Sequence, residues 1–487
     1  MENYKLSEHK FSKGIFTTPF YDFFKDRGKT RDWFLTTYPE VIWLGLILNS
    51  FERTKGMLIC ADILQFLENL SEEYIPPFFS EILNLDSHSQ SLLYEFINLR
   101  TGKNVLKPLT AIFPYTQAVE FNKVFNNSES LKKTDLELLI EVVKLGSNHQ
   151  SNFSTDLRYL IIYTFNLKNL VTFGPKEAHR IDELNLYPIL SHTDEKMRSI
   201  RPFIRATEIA ISSNLYSNNT TYYLEKFWQC MNELTDCEVI FIKNENENRN
   251  MDDYKSALYS VMSYIKRLNE TILMFDSRAT VMSGIVTFSW KRLIELIDHN
   301  LHNTISGRSI IRNLIENLIM MKYLLLNEKN NPDIWNAYKN YGYGQYKLVS
   351  ERFIERQVEL PDSHVPYKLL DILCQEKVRK EFLPMHTNYF NSESIREKAN
   401  KVGCSELYGL YYDYDSSFEH SLWGAIRESS LLLCNNPSHQ YHVVPDIENE
   451  QCLTSVLHDC MDVFYKMVKV FEEVYKIPEN LLERIKP

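Results

Sequence analysis

The chain has 487 residues, 44% of them apolar and 13% aromatic, which is enough for more than one hydrophobic core, so two or three domains are expected. A charged fraction of 24% argues against extensive disorder, and a formal net charge of −10 does not suit a protein that grips nucleic acid nonspecifically through Lys and Arg. With 14 Gly and 17 Pro in the whole chain, the composition favours helix and weakens any glycine-loop nucleotide site.

The first thirty or so residues read as an irregular, aromatic-rich lead-in (Phe11, Phe16, Phe20, Tyr21, Phe23, Phe24) without the basic-then-apolar layout of a secretory signal. A helix is expected from Pro39, a residue suited to a first helical position, with Glu40 placed against the positive helix end. Helical periodicity continues at 56–69, 89–98, 117–125, 133–145, 155–165, 204–213 and 221–232. The stretch 237–243, Cys-Glu-Val-Ile-Phe-Ile-Lys, is the best strand candidate. The polar tract 244–250 cannot bury a core, so it is expected to divide an N-terminal helical domain, 1–243, from a C-terminal one, 251–487.

Beyond the tract, long amphipathic helices are expected at 252–273 and 281–297. A nearly all-round apolar helix at 306–326, capped by Ser306, should be central and buried. Further helices are expected at 332–346, 347–358, 367–380, 406–412, 416–434 and 453–475. The fold class is therefore all-α. No apolar run is long and uninterrupted enough to span a bilayer, so the chain is expected to be cytoplasmic, with no membrane partner.

The nucleotide-loop, dinucleotide, zincin and α/β-hydrolase signatures are absent. The eight cysteines are dispersed and no C-x-x-C occurs, so all are expected to be reduced, with no metal and no cofactor. Three polar sets stand out. Arg308, Arg312 and Glu316, spaced i, i+4, i+8, span about 80° of one helix face. Either Arg312 and Glu316 form a structural pair, or the arginine holds a phosphate with Glu316 positioning it. Ser416 is expected to cap a helix that carries His420 one turn later, a histidine suited to proton transfer or to a satisfied place in the core. Lys196, Arg198, Arg201 and Arg205 bracket Pro202 at an expected helix start, as a nucleic-acid contact or a solvated face.

The run Gly307-Arg308…Arg312…Glu316 into Met321-Lys-Tyr323, then Trp335-Asn-Ala-Tyr338, then Asp415-Ser-Ser-Phe-Glu-His420, resembles an uncharacterised bacterial family of helical domains related distantly to the HEPN superfamily. The resemblance covers about 252–428. Tyr38-Pro39-Glu40…Trp43 resembles lead-in regions of proteins encoded with phage-defence genes. The resemblance implies a HEPN-like C-terminal bundle in an abortive-infection type of protein, with RNA, a phage component or a protein partner as ligand, and a homo-oligomer as its form. HEPN ribonucleases carry R-x(4–6)-H. Arg292…His299 and Arg379…His386 match by count, as many pairs as chance supplies in a chain of this length, and Pro384 interrupts the second. The expected site is thus His420, Arg312, Glu316 and Ser416, with Arg292 and His299 as the alternative, for metal-independent RNA cleavage. A non-enzymatic scaffold and a nucleotide or small-molecule sensor are the competing readings.

Overall fold

The computed structural model describes residues 5–18, 21, 32–102, 104–113, 118–126, 131–170, 179–212, 218–242, 251–271, 276–356, 364–375 and 379–487. The protein is all-α: helices carry the fold and the strands are short. It divides into two compact units. The N-terminal unit comprises Met1–Val239 with Leu433–His442, and the C-terminal unit comprises Ile240–Leu432 with Val443–Pro487. The tract 244–250, where the division is expected, lies outside the described residues. A short segment from late in the chain returns to the first unit, which one linear boundary does not anticipate.

The N-terminal unit opens with an antiparallel hairpin, β1 (Lys10–Ser12) on β2 (Ile15–Thr17), Phe11 opposite Phe16. Helix α1 (Tyr38–Asn49) begins next to Pro39 and is apolar all round, so it lies in the middle of the core, Ile42, Trp43 and Leu46 fully buried. Around it stand α2 (Arg53–Glu68), α3 (Ser87–Thr101), α4 (Lys133–Ser147), α5 (Asn152–Leu167), α6 (Met197–Ser212) and α7 (Asn218–Glu233). Asp86 caps α3 through the N–H groups of His88 and Ser89 at 3.0 Å, and Gly102 ends it at φ 59°. Gly146 permits a close approach, since a Cβ there would enter the ring of the buried Tyr38. Pro202 lies inside α6 and not at its start; the proline costs that helix one backbone bond. Of the expected strand at 237–243, two residues are extended, β3 (Val239–Ile240).

Glu40 stands in the first turn of α1, as expected, but inside the core and not at the surface. It is fully buried, accepts 2.9 Å from the Ser80 N–H, and its pKa is pushed up to about 8 by burial. The folded chain therefore holds a proton that the unfolded chain releases near 4.5, so this group's contribution to stability falls as pH rises from about 4.5 to about 8. Glu68, raised to about 7 by burial, acts in the same direction. The melting temperature of the N-terminal unit is expected to fall across that window, and Glu40→Gln to flatten the fall; an unchanged slope in thermal melts at several pH values would contradict it.

The C-terminal unit contains α8 (Asp252–Thr271), α9 (Ser277–Asp298), α10 (Ile305–Asn327), α11 (Ile334–Arg356), α12 (Tyr367–Cys374), α13 (Ile395–Lys401), α14 (Asp413–Glu419), α15 (Trp423–Ser430), β4 (Leu431–Cys434, its last two residues in the other unit), β5 (Val443–Pro445) and α16 (Leu457–Val474). Helix α10 is the hub, as its all-round apolarity predicts: it packs on α9, α13, α14 and α16, burying Leu314, Ile315 and Ile319 with Phe464 and Met467. Its cap is Thr304, accepting 3.3 Å from the Gly307 N–H, and not Ser306.

The two helices expected at 332–346 and 347–358 are the single helix α11, whose Gly344 admits the Pro384 carbonyl at a spot a Cβ would occupy. The helix expected at 416–434 is broken. The N–H of Leu422 bonds the Ser417 carbonyl at 2.9 Å with Ser421 at φ 48°, a left-handed helix stop that here uses serine where glycine is usual. Ser416 accordingly sits within α14 and caps nothing.

Candidate functional site

Helix geometry puts Arg308, Arg312 and Glu316 on the face of α10 that meets the turn Tyr408–Tyr412 and α14. Arg312 donates from Nε to Ser416 Oγ at 3.0 Å and from Nη2 to the Tyr412 hydroxyl at 2.8 Å, with its guanidinium 4.7 Å from the Tyr412 ring centre. Glu316 lies 3.6 Å from Arg312 Nη1 and accepts the hydroxyls of Tyr389 at 2.6 Å and Tyr412 at 3.3 Å. Burial, and then the Glu316 carboxylate, push both phenols far up, so they stay protonated donors. The Arg312 and Glu316 side chains are 23% and 22% exposed, so this network reaches the surface. One turn earlier, the buried Arg308 donates to the Thr454 carbonyl at 2.7 Å and faces the rings of Tyr414 and Phe418. Beside it, burial pushes the carboxyl of Asp415 up to about 7.

Tyr389 connects this network to a groove of about 600 Å³. Phe288 of α9, Asn313 and Asn317 of α10, and Tyr341, Gln345 and Tyr346 of α11 line it together with Tyr389. The turn carrying Tyr389 is tied down by the fully buried Lys398, whose ammonium donates to the carbonyls of Phe390, at 2.7 Å, and Glu393. Asn391 and Ser392 in that turn are left-handed, at φ 58° and 57°. The groove thus presents aromatic faces and side-chain amides on rigid elements.

The other residues singled out in the sequence do not join this set. His420 is exposed at the end of α14 and takes no part in the Arg312 network, although its N–H bonds the Ser416 carbonyl at 3.1 Å. Arg292 donates to Glu295 at 2.8 Å and His299 is exposed at the C-terminus of α9. Arg379 and His386 share no helix. In the N-terminal unit the basic cluster splits. Lys196 and Arg198 are exposed, whereas Arg201 bonds the ring and carbonyl of His192 at 3.0 and 2.9 Å. Arg205 turns inward too, its pKa lowered by burial and by Arg201.

A family model described as a family of unknown function (DUF5677) matches residues 289–439. The matched stretch contains Arg308, Arg312, Glu316, Tyr389, Tyr412 and Ser416, all the members of the network. The resemblance seen in the sequence is supported as far as an uncharacterised domain, and the match carries no activity with it. No curated protein and no solved structure matches the chain. Among the described residues no helix is long and apolar enough to cross a membrane.

Sequence spacing missed the groove, because its aromatic and amide residues belong to three helices and a turn. It also missed a convergence in the N-terminal unit, where Cys237, Cys434, His439 and His442 bring their donor atoms within 4.8 Å of one another. All eight cysteines are free thiols, and Cys60, Cys374, Cys404, Cys434 and Cys460 are buried.

Proposed function

We propose that the C-terminal unit binds a nucleobase-bearing ligand, a nucleotide or single-stranded RNA, in the groove beside Tyr389. On this proposal it is the HEPN-like effector part of a cytoplasmic bacterial protein of phage-defence type. The observation that carries the reading is the groove's lining. Phe288 and Tyr346 are 53% and 45% exposed at the groove, offering the stacking faces that single-stranded bases use; the Asn317 amide nitrogen is held by Ser289 and Asn313, which leaves the Asn313 nitrogen and the Asn317 oxygen for base-edge hydrogen bonding. Its volume is in the range of small-ligand sites. An acidic chain suits recognition by stacking and amides better than recognition by a phosphate-gripping surface. HEPN membership and the defence role rest on the sequence resemblance.

The bonding of Arg312 favours a positioning role for the Arg312–Glu316 pair within this reading. Two of its donors go to Tyr412 and Ser416, a third nitrogen faces Glu316, and Glu316 in turn accepts the Tyr389 hydroxyl at the groove. Binding is accordingly the activity we assign, with cleavage by His420 a separate question for the variants discussed below.

Titration of the full chain with mononucleotides and with short single-stranded RNA, followed by fluorescence anisotropy, is expected to show saturable binding. Phe288→Ala or Tyr346→Ala should weaken it about tenfold, the cost of one lost base stack. Both positions are exposed, so the fold should be unaffected, and the same variants should lower phage protection in cells. Binding by mononucleotides alone would favour the sensor form of the reading; binding by neither class would overturn it.

A further inference from the structure

We infer that the N-terminal unit holds a structural zinc ion between Cys237, Cys434, His439 and His442. Cys237 Sγ lies 3.3 Å from His439 Nδ1 and 3.2 Å from His442 Nε2, and all four donor atoms fall within 4.8 Å of one another. Tetrahedral zinc, with bonds of about 2.3 Å to sulfur and 2.0–2.1 Å to nitrogen, sets donors roughly 3.3–3.8 Å apart. The two measured sulfur–nitrogen distances are already close to that spacing, so a modest contraction of the widest pair completes it.

The surroundings of His439 supply an independent sign. Its Nε2 faces the Thr235 carbonyl at 2.9 Å, and a carbonyl can only accept, so Nε2 carries the proton. The bare lone pair is then on Nδ1, the atom aimed at Cys237. Metal-bound histidines are oriented in this way, the second ring nitrogen donating to a backbone carbonyl. His439 and Cys434 are buried, whereas Cys237 and His442 are exposed, which leaves a route for the ion to enter.

The backbone is arranged to hold the donors. Between the two histidines, Gln440 and Tyr441 both adopt positive φ, at 56° and 51°, which non-glycine residues keep only where their surroundings fix them. Asn436 donates from its side-chain amide to the Asp236 carbonyl at 2.8 Å and accepts from the Ser438 N–H at 2.9 Å; the Asn435 N–H meets the Glu238 carbonyl at 2.8 Å. These bonds lay the segment after β4 along the segment after α7, and the turn Pro437–His439 packs on α4 and α7.

Two thiolates and two imidazoles are the donor set of structural zinc, and softer or harder ions suit it less well. Four protein ligands leave no open position, so the ion would staple Leu433–His442 into the N-terminal unit and would not activate water. This runs against the expectation of a metal-free chain. That expectation came from local spacing, whereas Cys237 stands 202 and 205 residues before the two histidines.

Elemental analysis of the full chain, purified without chelator, is expected to give about one zinc per chain. Replacement by Co²⁺ should give the intense visible bands of tetrahedral cobalt together with thiolate charge transfer. Cys237→Ser and His442→Asn should each lose stoichiometric metal, and chelation should lower the thermal stability of the N-terminal unit. Wild-type protein that holds no metal and gives no tetrahedral cobalt spectrum would overturn the inference, and that reading does not depend on any variant folding. A Cys237–Cys434 disulfide in non-reducing peptide mapping of freshly prepared protein would overturn it equally.

Discussion

Glu208→Ala is expected to destabilise the N-terminal unit by about 3–5 kcal/mol. Arg158 of α5 and Glu208 of α6 form a direct ion pair whose side chains are 3% and 2% exposed. The Arg158 guanidinium also lies over Trp33, 4.1 Å from the ring centre. A buried pair gains little relative to an apolar pair of the same shape, because desolvation offsets the attraction. Removing one partner is different: Arg158 keeps its buried charge and loses the carboxylate that faces it directly, and breaking a buried pair in this way is the costly change. The double variant Arg158→Met/Glu208→Leu should therefore recover most of the loss. Chemical denaturation followed by tryptophan fluorescence, in a variant whose Trp290, Trp335 and Trp423 are replaced by Phe so that the signal comes from the N-terminal unit, would report it. A single variant as stable as the parent, or a double variant worse than either single one, would show that the pair is not acting as a buried charge couple.

That pair illustrates what could be read from the sequence. The helix containing Arg158 is legible from its periodicity, and so is the all-α class, because apolar residues at helical spacing recur in most segments. The partner of a buried charge is not legible, since Glu208 lies fifty residues further along, on another helix. The same limit applies at 416–434. Its composition is helical, and the break at Ser421 depends on a left-handed serine that no glycine announces. The proposed zinc donors show it most strongly, with Cys237 at mid-chain and His439 and His442 202 and 205 residues later, so that local spacing is silent.

The C-terminal network was partly legible for the opposite reason. Arg308, Arg312 and Glu316 are neighbours on one helix, so their common face follows from 3.6 residues per turn. Ser416 meets Arg312 through a hydrogen bond and not as a cap. Tyr389 and Tyr412 were not foreseen, because a phenol gives no sign in the sequence that it will meet a carboxylate. The groove lining was invisible for the same reason.

Arg312→Ala is expected to cost about 1.5–3 kcal/mol, the worth of hydrogen bonds made by a charged group, and to weaken ligand binding in the groove. The loss should be smaller than for Glu208, because Arg312 is 23% exposed and water can reach the groups it leaves behind. Glu316 would keep its two phenol partners, so the carboxylate is not stranded. Tyr412 and Ser416, however, lose the donor that fastens the Tyr408–Tyr412 turn and α14 to α10. Arg312→Lys should recover only part of the effect, since an ammonium cannot reproduce the fork that reaches Ser416 and Tyr412 from two nitrogens. His420→Ala is the matched control. The imidazole is exposed and outside the network, so the melting temperature and groove binding should be unchanged. Thermal melts and RNA binding by the three variants, with phage protection alongside, separate the roles. Loss of protection in a fully stable His420→Ala protein that still binds ligand would move His420 from bystander to chemistry. Arg312→Ala with normal stability and abolished binding would instead make Arg312 a direct ligand contact.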